Sequence, residues 1–476
     1  MKRNNKVTGT GKLSRREFIR LAGAVGGSMA FLAACGSQAT PQPAPQTGGE
    51  SAAPSSEGTQ PVTISWWNQY STDNVKEAMN LVIPAFEAKY PHIKIDFEIS
   101  GGPPGGGDLT EVLLSRIAGG NPPDSVTLFS PPSQFGALGS LEPIDDLMAT
   151  ASVARPDAFY EEVLNTCKWQ GKTYGLPASA GALAIFINKP LFEAKGISTN
   201  REDFPKTWDE WKRLSAEFVV WENDELKQAG FVPPWAAAWQ YPVWSALNGG
   251  VIFDADNAQY TIDSEQNIEW LEFWLEWMDE QYRGDIDTIN LVGNWDGVYG
   301  ESTFMAGVST MTIEGGWGTT DVEFPFEWEV VKLPYGPSGG KSVTGFWPNW
   351  LAIPKNSPHP DEAFLFIEYF ATEGWQLWYE IINDTPAWKG FPRDVVTKRA
   401  IETYGPERAQ DIHNFFVEYL NDAAPMWNSP VDSFASDTLA TALDEVAHKT
   451  KTPKDALGEA QRLAQAKLEE TLRSVK

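Results

Sequence analysis

The sequence has little of the chemistry that disulfide frameworks and metal sites require. Its 476 residues include only two cysteines, Cys35 and Cys167. The histidines are equally sparse and lie far apart in the sequence: His92, His359, His413 and His448. Neither set has the spacing of a zinc site or of another metal site. We therefore expect no metal ion and no cofactor in this protein.

Motifs for nucleotide binding and nucleophilic hydrolysis are also missing. The glycine-rich stretch "GGPPGGGD" lacks the Lys-Ser/Thr pair of a P-loop, and no G-x-S-x-G occurs. Residues 254–265 superficially resemble a calcium loop, but Ala258 and Gln259 replace a ligand and the turn glycine, so we interpret them as a hairpin. Glu301 and Glu314 are one of many carboxylate pairs that could serve glycoside hydrolysis, and the abundance of acids makes the pairing uninformative.

Cationic side chains are scarce as well. Lysine and arginine together number 37 against 64 aspartates and glutamates, which gives a formal net charge of −27. Nucleic acids and anionic lipid surfaces are bound through cationic patches, so this balance argues against both as partners. A polyanionic ligand is disfavoured for the same reason.

The first 34 residues differ from the rest and are typical of an export signal. Residues 14–20 read "SRREFIR", a twin-arginine signature, and an apolar, glycine-rich stretch follows that is too short for a good spanning helix. "LAAC" at 32–35 resembles a lipobox, which implies cleavage before Cys35 and acylation of its thiol. The alternative is a small-residue cleavage site beside an incidental cysteine. Residues 35–61, rich in Pro, Gly, Ser, Thr and Gln, are predicted to be a disordered tether.

From residue 62 onward, strand and helix patterns alternate. Residues 62–66 and 93–99 alternate in polarity as strands do, residues 124–129 form a third strand pattern, and helical patterns lie between them. This order predicts an α/β fold with a parallel sheet covered by helices. Ligands of such sheets bind beyond the carboxyl ends of the strands. Strand parity predicts that Trp66 faces the core and that Trp67 faces a ligand.

The 21 tryptophans are the most unusual feature of the composition. Five follow helical spacing and are predicted to be core residues: Trp208, Trp211, Trp270, Trp274 and Trp277. Thr207 with Glu210 is predicted to form a capping box, and Ser264 is predicted to cap a second helix. Residues 453–474 are predicted to form a terminal docking helix.

Other tryptophans stand among glycines and prolines, where helical spacing cannot explain them. They are Trp235, Trp239, Trp244, Trp317, Trp347, Trp350, Trp388 and Trp427. Flat indoles cover the apolar faces of a pyranose, while Asp, Glu, Asn and Gln satisfy its hydroxyls. Glu314 and Asn349 lie among these rings in the sequence. The pattern favours a carbohydrate site. The alternative is that these tryptophans are structural and hold loops in place.

Several stretches, taken in order, resemble one family. "VTISWW", "AFEAKYPHIKIDFE", "LLSRIAGGNPPDSV", "FMAGVSTMTIEGGWG" and "AIPKNSPHPDEAFLFIEYFATEGWQLW" are similar to the extracellular solute-binding proteins of ABC sugar importers, the maltose-binding-protein-like family. The resemblance implies a two-lobe, type II periplasmic-binding-protein-like fold with a hinge and an interlobe cleft. It also implies a monomeric, non-enzymatic protein that delivers its ligand to an ABC permease.

The resemblance carries over to particular residues. It implies a first lobe of 62–177 and 312–362, a second lobe of 178–311 and 363–476, and crossings near 175–177, 310–313 and 362–366. The ligand-binding residues expected from the resemblance and from the loop tryptophans together are Trp67, Asn68, Gln69, Ser130, Gln134, Trp239, Trp244, Glu314, Trp317, Trp347, Trp350 and Trp388. Gly181 stands where maltodextrin binders carry a carboxylate, which argues against a malto-oligosaccharide.

Two alternatives remain open. The same fold could bind a solute other than a sugar, such as a polyol phosphate, a peptide or a polyamine. A lipid-anchored glycan hydrolase or lectin is the second alternative. An acidic lining of the site would favour a cation, whereas clustered loop tryptophans favour a sugar.

Overall fold

The computed structural model describes most of the chain after residue 59. The described residues are 60–68, 73–99, 110–235, 237–255, 257–424, 426 and 428–474. The predicted export signal, the lipidation site Cys35 and the predicted tether up to residue 59 lie outside them, as do Gln69 and Trp427. None of the described helices combines the length and the apolar character that a membrane crossing requires.

The elements are numbered here in chain order. The strands β1 to β14 are Val62–Asn68, Ile93–Ile99, Ser125–Leu128, Lys168–Trp169, Lys172–Thr173, Leu176–Pro177, Leu183–Asn188, Val220–Glu222, Glu225–Gln228, Phe253–Asp254, Gln259–Tyr260, Met311–Gly315, Trp328–Val331 and Trp350–Ala352. The helices α1 to α17 are Asp73–Lys89, Thr110–Ala118, Pro132–Ala137, Asp145–Thr150, Glu161–Asn165, Lys189–Ala194, Trp208–Ala216, Tyr241–Leu247, Glu265–Tyr282, Ile286–Asn290, Gly318–Asp321, Pro360–Ala371, Trp375–Tyr379, Lys398–Tyr404, Pro406–Tyr419, Asp432–Ala447 and Pro453–Ser474. Short 3₁₀ turns lie at Pro156–Ala158, Arg201–Asp203, Ala238–Gln240 and Leu420–Asp422.

The first sheet has the strand order β2-β1-β3-β14-β6. Strands β2 and β3 run parallel to β1 on its two sides, and β14 runs antiparallel between β3 and β6. The parallel β1, β2 and β3, connected through helices α1 and α2, confirm the predicted α/β organisation. Their carboxyl ends therefore point to a common edge of the sheet.

Both tryptophans of β1 are buried, so the prediction that Trp67 faces a ligand is wrong. Trp66 and Trp67 are 0% and 1% exposed. Trp66 packs against Phe366 and Phe370 of α12, with ring centroids 4.8 and 5.1 Å apart. The Trp67 ring lies 5.4 Å from the guanidinium of Arg116 in α2. Because β1 is an inner strand covered by helices on both faces, side chains of either parity are enclosed.

The second sheet has the order β12-β7-β13, with both outer strands antiparallel to β7. Strand β7 is buried along its whole length. Its alternate residues enter two different apolar clusters, Ile185 and Ile187 on one face and Ala184 and Phe186 on the other. The second sheet therefore separates the two cores of the molecule, each of which also takes in helices.

The two sheets, with the helices packed on them, form the predicted two-lobe α/β architecture. The chain crosses between them differently from the expected boundaries. Residues 312–362 contribute β12 and β13 to the second sheet and β14 to the first. The expected crossing at 310–313 falls at the start of β12, and the one at 362–366 falls within α12. Helix α12 packs on β6, β14 and α1. Residues 178–182, by contrast, link β6 of the first sheet directly to β7 of the second.

The helix predictions in the second lobe are confirmed. Thr207 and Glu210 form the reciprocal capping box of α7, and Ser264 accepts a hydrogen bond from the Asn267 backbone at the start of α9. Helix α17 covers the predicted terminal segment. The five tryptophans with helical spacing are all buried.

Candidate functional site

A cavity of about 420 Å³ lies where loops from both sheets meet. It is lined by Asn74, Val75, Phe129, Tyr299, Trp317, Asp321, Trp347, Asn349, Trp378, Ile382 and Asp384. Phe129 directly follows β3, and Asn74 and Val75 open α1 after β1. The cavity thus lies beyond the carboxyl ends of the parallel strands, where ligands of such sheets bind.

A short segment of small residues, 178–182, holds the loops of the cavity together. The Ala180 N–H donates to the carbonyl of Thr385 at 2.7 Å, and the carbonyl of Gly181 accepts from the Trp347 N–H at 3.1 Å. The carbonyl of Ala182 accepts from the Gly316 N–H at 3.0 Å. This one strand-to-strand link therefore positions three loops of the site through backbone hydrogen bonds.

The Trp317 ring is seated on glycine. A Cβ added at Gly181 or Gly315 would clash with its six-membered ring, so both positions leave room for the indole. The preceding loop is fastened by Asn383, whose Nδ2 donates to the carbonyl of Gly316 at 3.2 Å. Gly181 thus has a steric role, because the space that a side chain would fill is taken by the Trp317 ring.

A second indole, Trp347, lines the same cavity and is supported from behind. Trp239 packs edge-on against it, with ring centroids 5.8 Å apart and an interplanar angle of 83°. Trp317, Trp347 and Trp239 are half-buried, unlike the tryptophans of the cores. Trp317 and Trp347 therefore offer two half-buried indole surfaces, and Trp239 sets the position of Trp347, while the buried Trp378 of α13 also lines the cavity.

Two aspartates place hydrogen-bond acceptors at the cavity. Asp321 accepts a hydrogen bond from the Tyr299 hydroxyl at 3.0 Å, and Asp384 Oδ2 accepts one from Asn349 Nδ2 at 2.7 Å. Burial raises the pKa of Asp384 to about 7, and the charge of Asp321 adds to this rise. Burial also raises the pKa of Asp321, which the Tyr299 hydrogen bond and the Arg399 charge oppose.

Glu314 lies just behind this lining, on β12. It is 6% exposed, and its Oε1 accepts from the Gly315 N–H at 2.7 Å. Burial raises the pKa of Glu314 to about 7, with a smaller rise from the carboxylates of Asp296 and Asp321. No cluster of three or more metal-binding side chains occurs in the part of the chain that the structure describes.

The structure separates the expected binding residues into three groups. The first group lies at the cavity: Trp317 and Trp347 line it, and Trp239 and Glu314 support it from behind. The second group, Ser130 and Trp388, is half-buried and does not line the cavity.

The third group is buried and does not line the cavity, contrary to the expectation. Trp67, Asn68, Gln134, Trp244 and Trp350 are each between 0% and 8% exposed. Trp244 belongs to helix α8, and Trp350 begins the inner strand β14, where its Nε1 donates to Thr166 Oγ1 at 2.7 Å. A glycine- or proline-rich neighbourhood therefore does not by itself place an indole at a surface.

Several lining residues were not predicted. Tyr299, Asp321, Trp378 and Asp384 carry no motif, and their convergence depends on contacts between distant segments. The available signal was the order of the elements, because Asp321 lies four residues after Trp317 and follows β12. For Asp384 the sequence holds no comparable signal.

A larger cavity of about 690 Å³ lies elsewhere, among Arg201, Lys332, Asp411 and Phe415. Nη2 of Arg201 forms salt bridges with Glu329 Oε1 and Asp411 Oδ2, at 2.8 and 2.7 Å. The lining contains no tryptophan. Its chemistry is that of a charged surface groove, and it lacks the paired indoles of the smaller cavity.

The fold and the cavity between its sheets define a two-lobe solute-binding protein. The chain belongs to the bacterial extracellular solute-binding protein family, whose pattern matches residues 70–377. Among curated relatives, the multiple sugar-binding protein of Streptococcus mutans is 24% identical over 349 residues, which cover 70% of this chain and 77% of that protein. The maltooligosaccharide ABC transporter solute-binding lipoprotein of Streptococcus pneumoniae R6 is 21% identical over 437 residues, covering 90% and 92%.

Solved structures agree with this assignment of the fold. An ABC substrate-binding protein of Listeria monocytogenes, solved in complex with cycloalternan, superposes with a TM-score of 0.69 at 20% sequence identity. The superposition covers 86% of this chain and all of that one. The family match over residues 70–377 confirms the resemblance expected from the sequence, and the superposition confirms the fold.

Proposed function

We propose that this protein is the carbohydrate-binding component of an ABC importer, and that it captures a sugar or oligosaccharide in the 420 Å³ cavity for delivery to a membrane permease. The observation that carries the proposal is the pairing of Trp317 and Trp347 with the carboxylates of Asp321 and Asp384 around one cavity. The segment 178–182, which links the sheets beneath that cavity, is the proposed hinge for closure over the ligand.

The chemistry of a pyranose fits this lining. Its C–H faces pack on indoles, and its hydroxyls donate to acceptors that burial would otherwise leave unpaired. The names of the Streptococcus relatives and the cycloalternan in the Listeria protein support a carbohydrate ligand. The mechanism requires binding, closure and release, with no bond of the ligand broken.

The direct test is a thermal-shift screen of mono- and oligosaccharides, followed by titration calorimetry of the best hit. A ligand present at one hundred times its Kd stabilises the native state by about 2.7 kcal/mol. We expect at least one saccharide to give such a shift and to be recovered unchanged by mass spectrometry. Cleavage of the saccharide, or a shift only with non-sugar solutes, would overturn the proposal.

The proposal includes an extracytoplasmic location through a lipid on Cys35, after export guided by Arg15 and Arg16. The name of the pneumococcal lipoprotein supports an anchored form. We expect Cys35→Ser to abolish labelling by a fatty-acid probe. Labelling that persists in this variant would contradict the anchor. The protein is proposed to act as a monomer, which light scattering with and without ligand can check.

A further inference from the structure

The cavity combines two features that favour different ligands. Its indoles, Trp317 and Trp347, suit the apolar face of a sugar. Its charged lining consists of Asp321 and Asp384, and no lysine or arginine lines it. The undescribed positions between residues 60 and 474 contain no lysine or arginine either. The site is therefore aromatic and acidic at once.

The acidic lining is only partly neutralised by the protein. Tyr299 satisfies one oxygen of Asp321, and Asn349 satisfies Oδ2 of Asp384. The Ser179 hydroxyl and the Gly181 N–H also act on the Asp384 carboxyl and lower its pKa, but they do not give Oδ1 a hydrogen bond of good geometry, although the side chain is only 6% exposed. Arg399, whose charge acts on Asp321, is exposed and does not line the cavity. A buried carboxylate without a compensating cation is costly, and a cationic ligand would remove that cost.

Once it is ionised, as the pH rises through about 7, Glu314 adds to the same field from behind the lining. Its carboxyl is buried beside Asp296 and Asp321, and its backbone donors are the N–H groups of Gly315 and Val298. No cation contacts it among the described residues. The local charge therefore repels an anionic ligand and attracts an ammonium group.

We propose that the preferred ligand is a saccharide that carries a protonated amine, an amino sugar, whose ring lies on the indoles and whose ammonium is held by Asp384 and Asp321. This inference rests on the proposed function and specifies its substrate class. It also predicts that uronic acids and sugar phosphates are rejected by the same carboxylates.

The test compares trisaccharides that differ in charge, and two of them, the free-amine and the N-acetylated trimer, share one backbone. The probes are the glucosamine trimer, its fully N-acetylated form, neutral maltotriose and a galacturonic acid trimer, titrated into the intact protein at neutral pH and low ionic strength. We expect the free-amine trimer to bind about ten-fold or more tightly than the N-acetylated form, and the galacturonic acid trimer not to bind.

Two isosteric variants assign the preference to particular carboxylates. Asp384→Asn and Asp321→Asn should each reduce the advantage of the free amine over the N-acetylated trimer to about three-fold or less. Asp437→Asn, which removes an exposed carboxylate of α16 that does not line the cavity, should leave it unchanged. An amine preference that survives in both cavity variants would overturn the assignment.

The possible failures are distinguishable. Tighter binding of maltotriose or of the N-acetylated trimer than of the amine would overturn this inference and leave the proposed function intact. Tight binding of the galacturonic acid trimer would do the same. Absence of binding by every saccharide, including a wider neutral panel, would overturn the proposed function itself.

Discussion

Two groups of tryptophans in the same molecule serve different purposes. One group lies on helices α7, α8 and α9, where Trp211, Trp244 and Trp270 stack nearly parallel, with neighbouring ring centroids 6.0 and 6.4 Å apart. These rings are 0–1% exposed. The other group, Trp317 and Trp347, is half-buried on loops and lines a cavity. The first group forms a hydrophobic core, and the second leaves indole surface accessible to a ligand.

The difference lies in what surrounds each ring. A helical indole in the second lobe meets other rings on several sides, as Trp270 meets Tyr241 at 4.4 Å and Trp274 at 4.9 Å. Trp317 instead rests on the bare backbone of Gly181 and Gly315. Glycine beneath a ring lets the ring lie close to the main chain while its other side stays free. The same residue type thus supports stability in one region and recognition in the other.

Trp270→Ala should have the largest effect, because it removes a fully enclosed ring from the core. We expect a loss of about 4 kcal/mol in the free energy of unfolding, measured by urea denaturation. The affinity of the protein that remains folded should change by less than about two-fold. A large loss of affinity with little loss of stability would erase the distinction between the two groups.

The buried carboxyls of the site should make its stability depend on pH. The pKa of Glu314 is about 7 in the folded state and near 4.5 in the unfolded state. Between pH 4.5 and pH 7, the Glu314 carboxyl is therefore protonated in the folded state and ionised in the unfolded state. This contribution to stability is present below about pH 4.5 and is lost as the pH rises through 7. Compared with Glu314→Gln, the wild type should lose on the order of 3 kcal/mol between pH 4.5 and pH 8. Parallel pH profiles of the two proteins in chemical denaturation would contradict the assignment.

Trp317→Ala should weaken the best saccharide by ten-fold or more, which is about 1.4 kcal/mol, and leave the melting temperature of the free protein nearly unchanged. Trp388→Ala is the matched control, since that half-buried loop tryptophan does not line the cavity. Its affinity should equal that of the wild type. A large drop in the melting temperature of Trp317→Ala would place this ring with the core group.

Gly181→Ala should have the smallest effect of the four. Its Cβ would press on the Trp317 ring and lie 2.8 Å from the Trp347 carbonyl oxygen, so the Trp317 ring and the backbone of residue 347 must shift. We expect affinity to fall by about five-fold in calorimetry. Gly458→Ala, on α17 with open space around it, is the control and should leave affinity unchanged. Equal affinities of the two variants would contradict this prediction, because they would show that a methyl group at residue 181 does not disturb the Trp317 ring.

The sequence predicted the fold well because its signals are local and repeated. The capping residues Thr207 and Ser264, the spacing of the helical tryptophans and the strand-helix order each required only neighbouring residues. The site was predicted in part, since Trp317 and Trp347 lie where the loops converge. Trp67 and Trp350 were misplaced because burial on an inner strand depends on which helices cover the sheet. Asp384 was missed because its place beside Asn349 is set by contacts across 35 residues.

We propose that Trp317 and Trp347 hold a saccharide in the cavity between the two sheets. A crystal structure of the protein with its tightest-binding saccharide would show whether they do. We predict that a pyranose ring lies within about 4 Å of the indole of Trp317 and that Trp347 contacts the same saccharide. A saccharide bound instead in the groove beside Arg201 and Phe415, with both indoles uncovered, would contradict the account.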